Sequence, residues 1–379
     1  FSFNTRITLY TLHCTHMSVP FLGRMNPNRG ARPGLSYDPI PWTVAFEEEC
    51  VVKTQAEGDA TLSTKLYSAG PADSTGVALM IHGAGGCALS FGPLAAIMRH
   101  EVRCLSYDLR GHGGSVIEGQ TGTPSMSLDE LVSDAEALLT HLYPYKGEDA
   151  TGVGITLIGH SLGGSIAAHM AGRFSATSTT RGWSVKACIL VDITEQEAVN
   201  ALPAMASIAK REPKAFMSMA KAVQWAHRTH SVRSLPHARY MAPGLVAQDP
   251  SDESLLRRIP VLIETQGDWG TWFAGMDDAF LTCSCRKLVV CSDQNRLDDD
   301  VTMAHMAGKI QIAVIPGSGH YIMLDATERM ASEVIGFMRR NHLTASLHNV
   351  PFDFAHPTEG ERAPGFDVIH GRVPAEFSK

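Results

Sequence analysis

One short motif constrains the fold of this chain more than any other feature. Residues 159–164 read G-H-S-L-G-G, and they stand between an apolar run at residues 155–158 and a segment with helical periodicity. A serine flanked by glycines at a strand-to-helix turn indicates a sharply bent backbone, because bulky side chains on either side would clash there. The bend aims the serine side chain outward at the carboxyl end of the strand. We therefore interpret Ser161 as a nucleophile.

The pattern on both sides of this motif predicts a mostly parallel central sheet that is flanked by helices. Short apolar runs bounded by glycine or aspartate are typical of buried parallel strands, and the helical spacing between them indicates crossover connections. The fold class is therefore α/β. Helices are predicted at residues 128–142 and 328–340. Strands are predicted at residues 77–81, 102–107, 155–158, 185–191, 287–291 and 310–315.

The alternation of strands and helices stops at about residue 195 and resumes after residue 280. The block at residues 195–280 is helical or irregular, which predicts a helical cap inserted into one continuing sheet. Residues 37–343 then form a single domain of the 379-residue chain. Residues 17–41 are rich in Pro, Gly and Arg, and residues 1–36 are predicted to be a flexible arm. Residues 344–379 are predicted to be a mobile tail.

Composition and charge exclude several classes of protein. The chain is 44% hydrophobic with a net charge of -7, so neither a nucleic-acid nor a membrane partner is expected. Its eight cysteines are scattered through apolar segments, which predicts reduced core thiols in an intracellular protein, in the cytoplasm, the nucleus or both. Cys283 and Cys285 have one residue between them, which fits neither a zinc site nor a redox C-x-x-C motif. No metal is expected.

A glycine-rich loop stands where a nucleophilic serine would need hydrogen-bond donors. Residues 82–86 read H-G-A-G-G and end an earlier predicted strand. Small residues there allow the backbone to approach the reacting carbon, with Gly83 beside the substrate. We predict that the backbone N–H groups of Ala84 and Leu162 form the oxyanion hole, because this architecture takes one donor from that loop and one from the residue after the nucleophile.

A histidine in a short loop after the last predicted strand is the predicted general base. Residues 317–320 read G-S-G-H, and the chain order serine, acid, histidine is expected for this type of fold. We therefore assign the base to His320. His82, His112 and His160 also lie in motif loops, but those loops precede or adjoin the nucleophile, so we interpret these three histidines as structural.

The acid that orients the histidine is left open by the residues alone. Asp192 ends the strand that follows the helix after the nucleophile, and Asp293 follows the next strand. Either aspartate can accept a hydrogen bond from His320 if its loop lies at the same edge of the sheet. Asp108 and Arg110, in the motif D-L-R-G-H-G-G-S, are interpreted as scaffold, with Arg110 pairing a carboxylate.

The motifs together resemble the α/β-hydrolase superfamily, and segments outside them narrow the resemblance. Over residues 36–343 the chain is similar to the protein phosphatase methylesterase family. The segments in the insertion are the most specific part, because many hydrolases share the serine, acid and histidine motifs. The matching segments are Y-D-P-I-P-W at 37–42, R-E-P-K-A-F at 211–216, A-V-Q-W at 222–225, W-G-T-W-F-A-G-M at 269–276, F-L-T-C at 280–283 and N-R-L-D at 295–298.

This resemblance implies an α/β-hydrolase fold and an activity. The family removes the methyl ester from the carboxyl-terminal leucine of the protein phosphatase 2A catalytic subunit, whose methylated tail would be the partner, and it uses no cofactor. Its acid follows the strand after the nucleophile's helix, a position that Asp192 occupies here. Two positions depart from the family pattern. Asn295 stands where the later loop would have an aspartate, and Ala84 interrupts a run of glycines.

The same resemblance implies a groove for a protein tail. The inserted block is the natural wall for it, and the implied wall residues are Trp225, Trp269, Trp272 and Phe273. For each of these aromatic residues a place in the core of the cap is an equally weighted alternative. Two other functions also stay open: a serine esterase of a small ester or lipid, and a catalytically weak regulator that binds the phosphatase.

Overall fold

The structure, a computed structural model, describes most of the chain between residues 36 and 344. The predicted arm and tail lie outside the described residues, except for Ser36 and Thr344, and so does Arg211 of the R-E-P-K-A-F segment. Within the described part, the structure omits residues 120–124, 148–151, 176–180, 210–211, 230–231, 250 and 259–268.

Strands and helices alternate along the described residues as the sequence predicts. The strands are β1 (Glu48–Gln55), β2 (Thr61–Ala69), β3 (Gly76–Ile81), β4 (Arg103–Tyr107), β5 (Val116–Glu118), β6 (Val153–His160), β7 (Trp183–Val191), β8 (Ala215–Phe216), β9 (Val246–Gln248), β10 (Leu256–Arg258), β11 (Arg286–Cys291) and β12 (Gln311–Val314). The α-helices are α1 (Gly92–Met98), α2 (Leu128–Leu142), α3 (Leu162–Phe174), α4 (Glu195–Ala209), α5 (Met219–Arg228), α6 (Leu235–Met241), α7 (Met276–Thr282), α8 (Asp299–Met306), α9 (Ile322–Asp325) and α10 (Thr327–Arg340).

A mostly parallel sheet forms the centre of the described chain. Its strands follow the order β1-β2-β4-β3-β6-β7-β11-β12, and β5 pairs with β2 beside this path. From β4 to β12 each neighbouring pair is parallel, whereas β1, β4 and β5 all pair with β2 in antiparallel fashion. The predicted α/β class is therefore confirmed. Because the strands after β2 are parallel, the loops that follow them meet at one edge of the sheet.

Helices cover both faces of this sheet. Along β3, Val77, Leu79 and Ile81 belong to one buried cluster, whereas Ala78 and Met80 belong to another. Both sides of the strand are thus buried, which explains why its sequence is a continuous apolar run rather than an alternating one. Helices α1, α9 and α10 contribute to the cluster of Met80, and α2, α3, α7 and α8 contribute to the cluster of Leu79.

The segment predicted as a cap, residues 195–280, contains helices and a small sheet. Helices α4, α5 and α6 account for most of its helical residues, and β8, β10 and β9 form a separate antiparallel sheet in that order. The sequence pattern did not reveal this sheet, in which Phe216 lies in β8. Strands of two or three residues are too short for their apolar residues to show an alternation.

The cysteines within the described residues are free thiols. Six of the seven are buried and Cys50 is exposed, so the prediction of core thiols fits the buried six. The Sγ atoms of Cys283 and Cys285 lie 3.3 Å apart, just before β11.

Candidate active site

The Gly-x-Ser-x-Gly motif forms the turn from β6 into α3. Ser161 has φ 53° and ψ −121°, a left-handed conformation that residues other than glycine rarely adopt. A Cβ on Gly159 would lie 2.1 Å from the carbonyl oxygen of Gly163, and one on Gly163 would lie 2.1 Å from that of Ile81. Only glycine at both positions allows this close approach. The turn places Ser161 at the amino terminus of α3, where the helix dipole favours negative charge.

Asp192 and His320 meet at the same edge of the sheet. His320 donates a hydrogen bond from Nδ1 to Oδ2 of Asp192 at 2.8 Å. The other carboxylate oxygen, Oδ1, accepts from the backbone N–H of Ser292 at 2.9 Å and from the Ser292 hydroxyl at 2.7 Å. Arg296 adds a positive charge, with Nε 3.5 Å from Oδ2. Every lone pair region of this fully buried carboxylate therefore faces a donor or a cation.

These partners decide the charge of the acid. Burial on its own raises the pKa of the Asp192 carboxyl, but the hydrogen bond and charge of His320, the charge of Arg296 and the hydrogen bond from Ser292 outweigh burial and lower the pKa to about 2. Asp192 is therefore ionised at neutral pH. An ionised carboxylate accepts only, so Nδ1 of His320 carries the proton and Nε2 is left to receive one.

The second candidate acid has a different task. Asp293 accepts a hydrogen bond on Oδ1 from the backbone N–H of Asn295 at 3.0 Å, and it caps the short 3-10 helix Gln294–Arg296. The structure thus brings Asp192, and not Asp293, to His320. The sequence alone did not separate these two aspartates, because each of them lies within two residues of the end of a strand.

Ser161 lies at the same edge as this pair. Its backbone N–H donates to the carbonyl oxygen of Val191 at 3.3 Å, one residue before Asp192, so nucleophile and acid follow paired residues of β6 and β7. Among the residues that the structure describes, no hydrogen bond joins the Ser161 hydroxyl to His320. The Ser161 residue is 7% exposed, and the His320 side chain is 40% exposed.

The H-G-A-G-G loop lies directly against the nucleophile. A Cβ on Gly83 would lie 2.8 Å from the Ser161 Cβ, so only glycine fits there. None of the hydrogen bonds within the described part of the chain uses the backbone N–H of Ala84 or Leu162. Both predicted oxyanion donors are therefore unengaged, and Leu162 is the first residue of α3.

His82 and His112 hold this loop in place. His82 accepts on Nε2 from the backbone N–H of Leu109 at 3.0 Å and donates from Nδ1 to the Gly83 carbonyl at 2.8 Å. His112 accepts on Nε2 from the N–H of Gly85 at 3.1 Å. Burial first, and then the neighbouring His112, lower the pKa of His82 to about 3, so His82 is neutral at physiological pH. Both rings thus act as fixed linkers between two loops, as their structural interpretation requires.

The D-L-R-G-H-G-G-S loop is built around two buried charged residues. Asp108 accepts from the backbone N–H groups of Ala88 at 2.7 Å and Gly114 at 2.8 Å, and burial raises the pKa of its carboxyl to about 6. Arg110 forms a two-pronged pair with Asp134, with Nε–Oδ2 at 2.6 Å and Nη2–Oδ1 at 2.7 Å. Each residue stabilises a neighbouring segment, and neither contacts Ser161 or His320.

The four aromatic residues of the implied groove have unequal exposure. Trp272 is 3% and Phe273 is 2% exposed, and Trp272 donates from Nε1 to the carbonyl oxygen of Met126 at 2.7 Å. These two residues pack in the core, so they form no open wall. Trp269 is half-buried and stacks on Trp272, with ring centroids 6.2 Å apart, and the half-buried Trp225 lies 5.5 Å from the ring of Phe216.

Sequence reasoning missed several residues that hold the acid and the histidine loop. Ser292 becomes detectable only once the parallel pairing of β7 with β11 is known, because that register places it beside Asp192. Arg233, in the insertion, donates from Nη1 to the Gly317 carbonyl at 2.8 Å and from its backbone N–H to Asp325 at 3.0 Å. The His320 loop is therefore fastened to the insertion, a long-range contact with no local sequence pattern.

The described part of the chain contains neither a cluster of potential metal ligands nor a membrane-spanning helix. No group of three or more His, Cys, Asp and Glu side chains there could hold a metal ion. None of the helices described is long and apolar enough to cross a membrane.

The fold and this edge of the sheet define a class of protein. The family model described as "Alpha/beta hydrolase family" matches residues 78–333. A crystal structure of E-2-(acetamidomethylene)succinate hydrolase superimposes with a TM-score of 0.57 at 17% identity, covering 77% of this chain and 100% of that one. This likeness concerns the fold alone. The chain belongs to the alpha/beta hydrolase family.

Curated relatives place the chain more narrowly. Protein phosphatase methylesterase 1 of Gibberella zeae is 31% identical over 322 residues, which cover 84% of this chain and 78% of that protein. Protein phosphatase methylesterase 1 of Bos taurus is 29% identical over 369 residues, with 86% and 91% covered. Within the alpha/beta hydrolases, the chain belongs to the protein phosphatase methylesterase family and is a carboxylic ester hydrolase.

Proposed function

We propose that this enzyme removes the methyl ester from the carboxyl-terminal leucine of the protein phosphatase 2A catalytic subunit. Ser161 is the nucleophile, His320 the general base and Asp192 the acid that orients it. The observation that carries these roles is the 2.8 Å hydrogen bond between His320 and the buried Asp192, beside the Ser161 turn. The substrate class rests on the relatives named protein phosphatase methylesterase 1.

The proposed reaction has two steps. In the first, Nε2 of His320 takes the hydroxyl proton of Ser161 while Oγ attacks the ester carbonyl carbon, and ionised Asp192 stabilises the imidazolium that results. The charge on the carbonyl oxygen lies between the N–H groups of Leu162 and Ala84. Methanol leaves with the proton from His320. In the second step His320 activates a water molecule, which releases the leucine carboxylate and restores the serine.

The hydrogen bond between Ser161 and His320 has to form during this reaction. Catalytic hydrogen bonds of this type are often long or poorly aligned without substrate and tighten in the substrate complex. The His320 side chain is 40% exposed and, among the described residues, hydrogen-bonds only through Nδ1, so its Nε2 is available to Ser161. The steps require no metal and no organic cofactor.

A protein tail needs an open path to Ser161. We place that path along the carboxyl edge of the sheet, with Gly83 beside the scissile ester and the half-buried Trp225 and Trp269 as candidate wall residues. Trp272 and Phe273 support this region from the core. The partner is the methylated tail of the phosphatase catalytic subunit, with no nucleic acid or membrane involved. The free buried thiols support an intracellular enzyme, in the cytoplasm, the nucleus or both.

The test is incubation with carboxymethylated phosphatase catalytic subunit, followed with an antibody against the demethylated tail. The wild-type chain is expected to demethylate it, and Ser161→Ala is expected to lower the rate by more than about 10⁴-fold. Ser254→Ala, at an exposed serine, is the matched control and should keep full activity. Full activity of Ser161→Ala would disprove the mechanism. Hydrolysis of small esters by a wild-type enzyme that leaves the phosphatase methylated would instead indicate a small-ester esterase.

A further inference from the structure

His160 links the strand that carries the nucleophile to the loop that carries the base. It is the last residue of β6, immediately before Ser161, and it is 1% exposed. Its Nε2 lies 2.9 Å from the backbone carbonyl oxygen of His320. A carbonyl oxygen only accepts, so Nε2 carries the proton and donates it. No other hydrogen bond among the described residues joins β6 to His320.

The His160 ring also packs against the rings of His320 and Tyr321. Its centroid lies 4.5 Å from that of His320 and 4.7 Å from that of Tyr321. The main chain at His320 is therefore held by a hydrogen bond at its carbonyl and by ring packing on either side of it. Upstream, the loop is held through Gly319, whose N–H donates to Asp325 at 2.8 Å, but this bond leaves His320 itself free to rotate.

The protonation state of His160 suits this contact. Burial, and then the charge that His320 can carry, lower the pKa of His160 well below its usual value. A neutral imidazole with its proton on Nε2 has an unprotonated Nδ1, and this Nδ1 is buried without a hydrogen-bond partner. His160 therefore stays neutral when His320 takes up the serine proton, so the two adjacent rings never repel each other as two cations.

We propose that His160 is a positioning residue, whose Nε2–H bond to the His320 carbonyl sets the distance between the base and Ser161. The inference rests on the proposed roles of Ser161 and His320. A shift of about 1 Å between reacting groups costs on the order of 10²-fold in rate. The contact matters because the His320 side chain is 40% exposed and, among the described residues, hydrogen-bonds only to Asp192.

Two substitutions of equal length test this role. Glutamine in His160→Gln keeps an N–H donor at about the reach of Nε2, whereas methionine in His160→Met fills similar volume without a donor. We expect His160→Met to lower kcat about 30-fold with KM changed less than about threefold, and His160→Gln to recover kcat to within about fivefold of wild type. The matched control is His305→Met, because the ring of His305 also contacts a carbonyl, Ile310 O at 3.2 Å, at the opposite end of the sheet. It should keep wild-type kcat.

The readouts separate positioning from folding. Thermal unfolding should show that both His160 variants stay folded at the assay temperature, and the rate of Ser161 labelling by a fluorophosphonate should follow kcat. If His160→Met does not fold, His160→Phe replaces it, since phenylalanine keeps a ring against Tyr321 without a donor. Equal kcat for the glutamine variant and the variant without a donor overturns the inference, as does a loss in KM alone. Failure of the proposed function is distinguishable, because then either Ser161→Ala would remain active or the wild-type enzyme would leave the phosphatase methylated.

Discussion

Ser161 and Asp192 share a positive φ angle that L-amino acids rarely adopt. Each has φ 53°, and each is the first residue after a parallel strand, β6 for Ser161 and β7 for Asp192. Such a conformation costs on the order of 1–3 kcal/mol and persists only where surrounding structure enforces it. Here two backbone hydrogen bonds to the neighbouring strands hold these residues in place. The N–H of Ser161 donates to the carbonyl oxygen of Val191, and the N–H of Asp192 donates to that of Val290. The strain lies on two of the three residues proposed to form the catalytic triad.

The identity of the acid is testable by exchanging one atom. Asp192→Asn keeps the shape but replaces the ionised acceptor of Nδ1–H, so His320 is free to adopt the tautomer that cannot act as base. We expect a fall in kcat of about 10⁴-fold on the methylated phosphatase. Asp293→Asn is the matched control. Its amide oxygen can still accept from Asn295, so kcat should change less than about threefold. A severe loss in Asp293→Asn alone would contradict the assignment.

At the residue scale, the motifs predict some members of the site and not others. Ser161 and His320 follow from local patterns, because a turn between glycines and a short loop after the last strand are visible in sequence. The choice between Asp192 and Asp293 came from family resemblance, since both lie near the ends of strands. His160 was interpreted as structural, and its bond to His320 crosses 160 positions of sequence, beyond any local pattern.

At the scale of elements, the approach of α3 to β3 depends on Gly163. Since a Cβ at this position would lie 2.1 Å from the Ile81 carbonyl oxygen, Gly163→Ala has to push α3 away from the sheet. We expect it to lower the free energy of unfolding by about 3 kcal/mol, because neither backbone can yield easily. Urea unfolding measures this change.

A second glycine of the same helix serves as the control. A Cβ on Gly172 would lie 3.5 Å from the Ala279 Cβ, an ordinary contact. Gly172→Ala should therefore leave stability unchanged or raise it by up to about 1 kcal/mol, through the better helix propensity of alanine. Equal destabilisation by both substitutions would show that the close approach of α3 at Gly163 is not the cause.

The same scale shows why the sheet was predictable and the insertion was not. Strands such as β3 are buried on both faces, and this produces continuous apolar runs that stand out in sequence. In the insertion, β8 has two residues and β9 three, too few for any period. For Trp272 and Phe273 the sequence left a groove wall and a place in the core equally open, and both residues are buried. Burial of aromatic residues depends on which helices pack over them, and this packing is a tertiary property.

At the scale of the whole molecule, a group of carboxylates joins the insertion to the main domain. Asp277, on α7, accepts on Oδ1 from the N–H of Glu195, on α4, at 3.2 Å. The Glu195 carboxylate accepts from the N–H groups of Gly275 at 3.0 Å and Asp277 at 3.1 Å. Asp298, just before α8, accepts from the Thr194 hydroxyl at 2.9 Å. The starts of three helices that are distant in sequence thus bring three acidic side chains, Glu195, Asp277 and Asp298, close together.

One of these carboxylates makes the stability of this junction depend on pH. Burial first, then the hydrogen bond and charge of Asp298, raise the pKa of Asp277 to about 7. An aspartate in the unfolded chain titrates at about 3.9. Because the folded pKa is the higher one, the folded state binds the proton more tightly. The contribution of Asp277 to stability is therefore complete below about pH 4 and is lost as the pH rises towards about 7.

Asp277→Asn removes this dependence, because asparagine is neutral at every pH and its amide oxygen can still accept from Glu195. The gain in free energy of unfolding over wild type should be larger at pH 8 than at pH 5, by about 1–2 kcal/mol once solvent screening is allowed for. Urea unfolding at both pH values measures it. Asp278→Asn changes the neighbouring exposed carboxylate and should show no such difference. If Asp277→Asn gave the same gain at both pH values, the carboxylates would not be repelling one another, and the junction would be held by its backbone hydrogen bonds alone.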